Sequence, residues 1–168
     1  MDDIVCANTA FRYWRCPPQV RNLYPRLPNS EDGWRALSQA PFVTEVLKTP
    51  IIAVASPGCC NHHSGLRSTI RWEGASDAGT TIDTNLGFSI TNPLNTLFTM
   101  TRFVSQIDLV LAMYELCGWF SVFEPTPAAE MQLKMAVEEN RNSSTQDLFE
   151  LGEGEDEVPW KRVYAAQP

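Results

Sequence analysis

Both histidines of the chain and two of its five cysteines fall within five residues, Cys59-Cys60-Asn61-His62-His63. Thiolate and imidazole are favoured zinc ligands, and a thiol with an imidazole base is the minimal pair for cysteine nucleophilic catalysis. The spacing argues against both. Adjacent side chains on an extended backbone point to opposite sides, so only Cys59 with His62, or Cys60 with His63, suits one metal ion. No second pair follows downstream, and Cys6, Cys16 or Cys117 would have to complete the set. A catalytic cysteine needs the fold to bring its base to it and a third group to orient that base, which adjacency does not supply. The segment is therefore expected to be an ordinary connection, with no metal, cofactor or catalytic residue. A metal-dependent hydrolase built on this loop is the weakest of three functional readings.

The elements are clearest between Gly87 and Glu124. Phe88 and Ile90 alternate with Ser89 and Thr91 as in a half-buried strand. Asn92-Pro93 is a helix start: the Asn side chain accepts from an orphan first-turn amide, and Pro at the first helical position loses no needed donor. A helix is expected over Pro93–Phe103 and a second over Gln106–Cys117, started by Ser105 with Asp108 in a capping box and ended by Gly118. Leu97, Phe98, Leu111 and Tyr114 are expected to be buried against the sheet, and Cys117 to be a small buried hydrophobe. Trp119 to Phe123 reads as a returning strand.

Upstream, Asn8 or Thr9 can cap a helix through Trp14 and Arg15 that stops at Cys16-Pro17-Pro18. Residues 17–33 read as a wrapping loop. Pro41 opens a helix with Phe42, Val43, Val46 and Leu47 inward. Ile51 to Ala55, the Ile70/Trp72 stretch and Thr80 to Thr84 are strand candidates. Asn85-Leu86-Gly87 turns the last of these into the Phe88 strand as a hairpin. Tyr13, Trp14, Trp34, Trp72, Tyr114 and Trp119 lie beside periodic apolar residues and are expected in the core.

These motifs resemble a family of uncharacterised bacterial proteins. In that family a strand ends in a Val-Thr-Ser-Pro-type turn, a second helix closes in Glu-Leu-Cys-Gly, and the chain opens with an Ala-Leu-x-Tyr-Trp-Arg helix. Here the corresponding residues are Ile90-Thr91-Asn92-Pro93, Glu115-Leu116-Cys117-Gly118 and Ala10-Phe11-Arg12-Tyr13-Trp14-Arg15. The family is related to abortive-infection (type IV toxin–antitoxin) antitoxin-like proteins, and its longer members carry an endonuclease-like C-terminal domain of the very-short-patch-repair type. The likeness spans about residues 7 to 125 and implies a helix–sheet module without implying a reaction. Nucleases of that type use a Glu-x-Lys-like pair with metal-holding carboxylates. Lys48, Lys134 and Lys161 follow Val46, Gln132 and Pro159 at that offset, so the tripeptide is absent. The 44 residues after Glu124 are also expected to be too few for a nuclease fold.

Charge is unevenly placed. Residues 1–125 hold nine Lys/Arg against eleven Asp/Glu, net -2, while 126–168 hold four against nine, net -5. The body is near neutral, so the overall -7 neither excludes nucleic acid nor argues for it. No apolar run approaches the roughly 20 residues of a membrane span, and Met1-Asp2-Asp3 lacks the basic start of a secretory signal. Five cysteines at irregular spacing suit reduced thiols, so the chain is expected in the cytoplasm.

The expected architecture is α+β, a small mainly antiparallel sheet packed against helices. It comprises one module over 1–125, a C-terminal helix over 126–140 and an acidic, flexible tail over 141–168. The expected role is a non-catalytic regulatory or antitoxin-like binding module for nucleic acid or a protein partner. The alternative is an interaction or self-association domain related to a longer endonuclease-like protein. Candidate nucleic-acid contacts are Arg12, Arg15, Arg21 and Arg26, and candidate partner contacts are Met131, Met135, Trp160 and Tyr164. DNA or a protein is the expected partner, with no membrane and no small-molecule substrate.

Overall fold

The computed structural model describes residues 4–26, 33–54, 67–72, 79–139 and 141. In chain order the elements are β1 (Ile4–Val5), α1 (Ala7–Arg15), α2 (Pro18–Arg21), α3 (Gly33–Gln39), a π-helical turn (Phe42–Leu47), β2 (Ile51–Val54), β3 (Arg67–Ile70), β4 (Thr81–Asp83), β5 (Ser89–Thr91), α4 (Pro93–Met100), α5 (Gln106–Leu116) and α6 (Pro127–Glu139). The fold is α+β. The five strands among the described residues run in the order β3-β2-β1-β5-β4. The sheet is mixed rather than mainly antiparallel: β1 pairs antiparallel with β2 and parallel with β5, β2 pairs parallel with β3, and β4 with β5 is antiparallel.

β1 is two residues long, yet it sits at the centre and joins two strand pairs that are distant in sequence. So short a segment shows no alternation, which is why its sequence carries no strand signal. β2, Ile-Ile-Ala-Val, is buried at every position. An uninterrupted apolar run is what a strand covered on both faces requires. The β4–β5 hairpin closes as expected, with the Thr84 hydroxyl donating to the Phe88 carbonyl at 2.7 Å.

α1 is the central helix, packed on β2, β5, α4 and α5. Tyr13 lies edge-to-face with Trp14, Phe42 and Phe88 at 5.1, 6.0 and 5.9 Å. The buried Trp14 indole N–H donates to the Thr91 carbonyl at 2.9 Å, so the largest core side chain leaves no unmatched donor.

Several expectations are corrected. α1 begins at Ala7 after Cys6, which makes no side-chain cap. The Thr9 hydroxyl instead donates to the Pro50 carbonyl at 2.9 Å and accepts from the Ile52 amide at 3.0 Å, tying α1 to β2. The first-turn amide of Ala7, at a left-handed φ of 51°, donates to Thr99 Oγ1 at 3.0 Å. α4 supplies the cap from 92 residues away. The expected loop over 17–33 contains α2. α4 stops at Met100 and α5 at Leu116, while Trp119–Phe123 forms no strand. There, the Val122 amide donates to Glu115 Oε1 at 3.1 Å instead of to a neighbouring strand. Asn92 and Ser105 do cap their helices, accepting from the Asn95 and Asp108 amides at 2.8 and 3.2 Å.

Candidate partner-binding face

α4 and α5 are turned opposite to their expected orientation. On α4 the buried side chains are Thr96, Thr99 and Met100, while Leu94 and Phe98 stand 74% and 61% exposed. Leu97 is only partly buried. Buried threonines are tolerable because each hydroxyl is matched: Thr91 with Thr96 at 2.7 Å, and Thr99 with the Asn95 carbonyl at 2.9 Å.

On α5 the inward residues are Ala112, Glu115 and Leu116, with Leu109 partly buried. Ile107, Val110, Leu111 and Tyr114 recur at i, i+3, i+4 and i+7 on the outward side, and Met113 widens the stripe. Ile107 is 74% exposed and the other four are near one half. Trp119, 76% exposed, extends the face, its ring 5.8 Å from that of Tyr114 at 74°. Leu111, Tyr114 and Phe98 are thus surface residues, and Trp119 and Cys117 are exposed too. The reason is composition: a helix apolar nearly all round gives periodicity no single face to choose. Glu115 makes the choice. Its Oε2 accepts from Arg15 Nη2 at 2.8 Å, and the carboxylate side chain is 6% exposed. Gly118, at φ 78°, then turns the chain so that Trp119 lies against Tyr114.

A separate feature is a cavity of about 310 Å³ beside the β4–β5 hairpin, lined by the Tyr24–Arg26 stretch, α3, the start of the π-helical turn, Leu86 and Phe88. Tyr24 forms one wall, edge-to-face with Phe42 at 5.3 Å. Burial pushes its phenol above the ordinary value; a hydrogen bond with Thr126 opposes the shift and the Glu45 carboxylate adds to it.

The arginines do not form one patch. Arg12 donates to the Leu47 carbonyl at 2.7 Å. Arg15 pairs with Glu115 and lies 4.8 Å over the Phe11 ring. Arg21 is buried, 4.5 Å over Tyr13 and 5.9 Å from Trp14, and helps to build the core instead of presenting charge to solvent. Arg26 is exposed at the cavity.

On α6, Met131 and Met135 face solvent, 62% and 49% exposed, while Ala129 is buried and α6 packs on α2. Trp160, Tyr164 and the acidic tail lie outside the described residues, as do Cys59, Cys60, His62 and His63. Burial raises the Cys6 and Cys16 thiols to about 12, with Arg21 opposing the shift at Cys16, so both are held as neutral thiols. Among the described residues no group of three His, Cys, Asp or Glu is placed to hold a metal ion. Among them, too, no helix is long and apolar enough to cross a membrane.

In comparisons with known proteins, no family model matches the chain, and no curated protein or solved structure gives a match. The fold and the exposed helix face therefore carry the functional argument.

Proposed function

We propose that the protein is a non-catalytic interaction module that self-associates through the outward face of α5. The observation that carries this is the exposure of Ile107, Val110, Leu111, Met113, Tyr114 and Trp119 along one helix and the turn after it. Together these side chains leave on the order of 700 Å² of largely apolar area in water, roughly 120 Å² for each on average. The largest patch on a typical monomer is about 300–600 Å², and a standard interface buries about 800 Å² per partner.

A second copy is the occupant the face favours. A two-fold contact sets a surface against itself, which brings like charges together unless the surface is uncharged. None of the six side chains carries charge; of the two carboxylates on the helix, Glu115 is turned inward to Arg15 and the exposed Asp108 accepts from the Ser105 hydroxyl at 2.7 Å. Such a module acts in regulation by presenting a paired surface, in keeping with the binding role that the antitoxin-like resemblance implies. The free thiols of Cys6, Cys16 and Cys117 suit a cytoplasmic setting.

Sedimentation velocity tests the reading. The wild-type chain should be dimeric at concentrations of about 10–100 μM. Val110→Lys with Leu111→Lys should be monomeric with an unchanged circular-dichroism spectrum. A wild-type monomer across that range, or a double variant that still dimerises, would overturn it.

A further inference from the structure

We propose that the cavity beside the β4–β5 hairpin is a binding site for a small amphipathic monocarboxylate, with its apolar body inside and its carboxylate on Arg26. The walls are almost wholly carbon: Leu37, Phe42, Val43, Leu86 and Phe88 face it. Its volume of about 310 Å³ lies at the lower end of ordinary ligand pockets. A cavity of roughly 150 Å³ accepts one benzene ring, so this one accommodates a bicyclic ring or a medium-length chain.

Among the described residues, Arg26 is the one charged side chain that lines the cavity. Unlike Arg12 and Arg15, which are held by Leu47 and Glu115, it makes no ion pair with a described residue. The Tyr24 hydroxyl is turned to Glu45, 3.4 Å from Oε2, so it leaves the anionic end of a ligand to Arg26. A guanidinium offers two parallel donors that match the two oxygens of a planar carboxylate. One positive charge balances one carboxylate, whereas a phosphate monoester would keep excess negative charge against an apolar wall. The site is separate from the α5 face, and its test does not depend on self-association.

Isothermal titration calorimetry of the full chain with octanoate, octanol and octyl phosphate decides the matter. Octanoate should bind in the micromolar range, with octanol and octyl phosphate at least about tenfold weaker. Arg26→Gln should bring octanoate down to the level of octanol while leaving octanol unchanged. Ala36→Trp, which fills the cavity from a half-buried wall position, should abolish both while keeping the fold's circular-dichroism signature. Equal binding of octanoate and octanol, tighter binding of octyl phosphate, indifference to Arg26→Gln, or no heat at millimolar ligand would each overturn the proposal.

Discussion

Arg15 Nη2 lies 2.8 Å from Glu115 Oε2, and this contact sets the rotation of α5 about its axis. Glu115 is the single carboxylate in the last turn of a helix that is apolar on both sides beyond Asp108. Once it is turned inward to α1, Ala112 and Leu116 follow, and Ile107, Val110, Leu111 and Tyr114 are directed to solvent. Its other oxygen accepts from the Val122 amide, so the same carboxylate also places the chain that carries Trp119.

Removing the cation should therefore cost more than a surface ion pair would. Arg15→Met strands a nearly buried carboxylate and should lower stability by about 2–4 kcal/mol in urea unfolding. Arg15→Met with Glu115→Met removes the stranded charge and should recover much of that loss. A single variant within about 0.5 kcal/mol of wild type would place the pair among weak surface contacts.

Leu116 and Leu111 are five residues apart on α5 and should respond differently to truncation. Leu116→Ala empties a core position, 5% exposed, and should cost about 2–5 kcal/mol. Leu111→Ala, at 49% exposure, should cost under about 1 kcal/mol when unfolding is followed at a dilution where the chain is monomeric. Equal losses at the two positions would contradict the helix rotation.

The Thr99 hydroxyl accepts from the Ala7 amide and shares its one proton between the Asn95 and Thr96 carbonyls, each at 2.9 Å. Thr99→Val keeps the shape but leaves a buried first-turn donor unmatched, so stability should fall by about 1–3 kcal/mol. Thr99→Ser should restore most of it. Hydrogen exchange at Ala7 should accelerate in the valine variant and not in the serine one.

The buried thiols make a pH prediction with a definite sign. Cys6 and Cys16 are raised from 9.0 to about 12, so between those values the unfolded chain loses protons that the folded chain retains. Their contribution is full below pH 9.0 and is lost as pH rises toward about 12, and the melting midpoint should drop across that window. Cys16→Ala should make the drop shallower. Under native alkylation at neutral pH, peptide mapping should find Cys117 modified and Cys6 and Cys16 protected.

Local chemistry was legible without any tertiary information. Asn92-Pro93 and Ser105 with Asp108 start helices because a short polar side chain and a fixed φ act within one turn. The Thr84–Phe88 hairpin closes across four residues, and Ile51–Val54 announces its burial by being apolar throughout. The Pro127–Glu139 helix also lies close to its expected span.

Only the tertiary structure decided the mixed sheet, the rotation of α4 and α5, and the fates of the arginines. β1 has two residues, too few for a period, and its place between β2 and β5 exists only once they converge. The cap of α1 comes from Thr99, and the orientation of α5 from Arg15, 100 residues from Glu115. A helix apolar on every side states that it has a hydrophobic face but not which face is covered. Which side meets the core is set by the Arg15–Glu115 pair, whose burial requires a partner, and the other side is left in water.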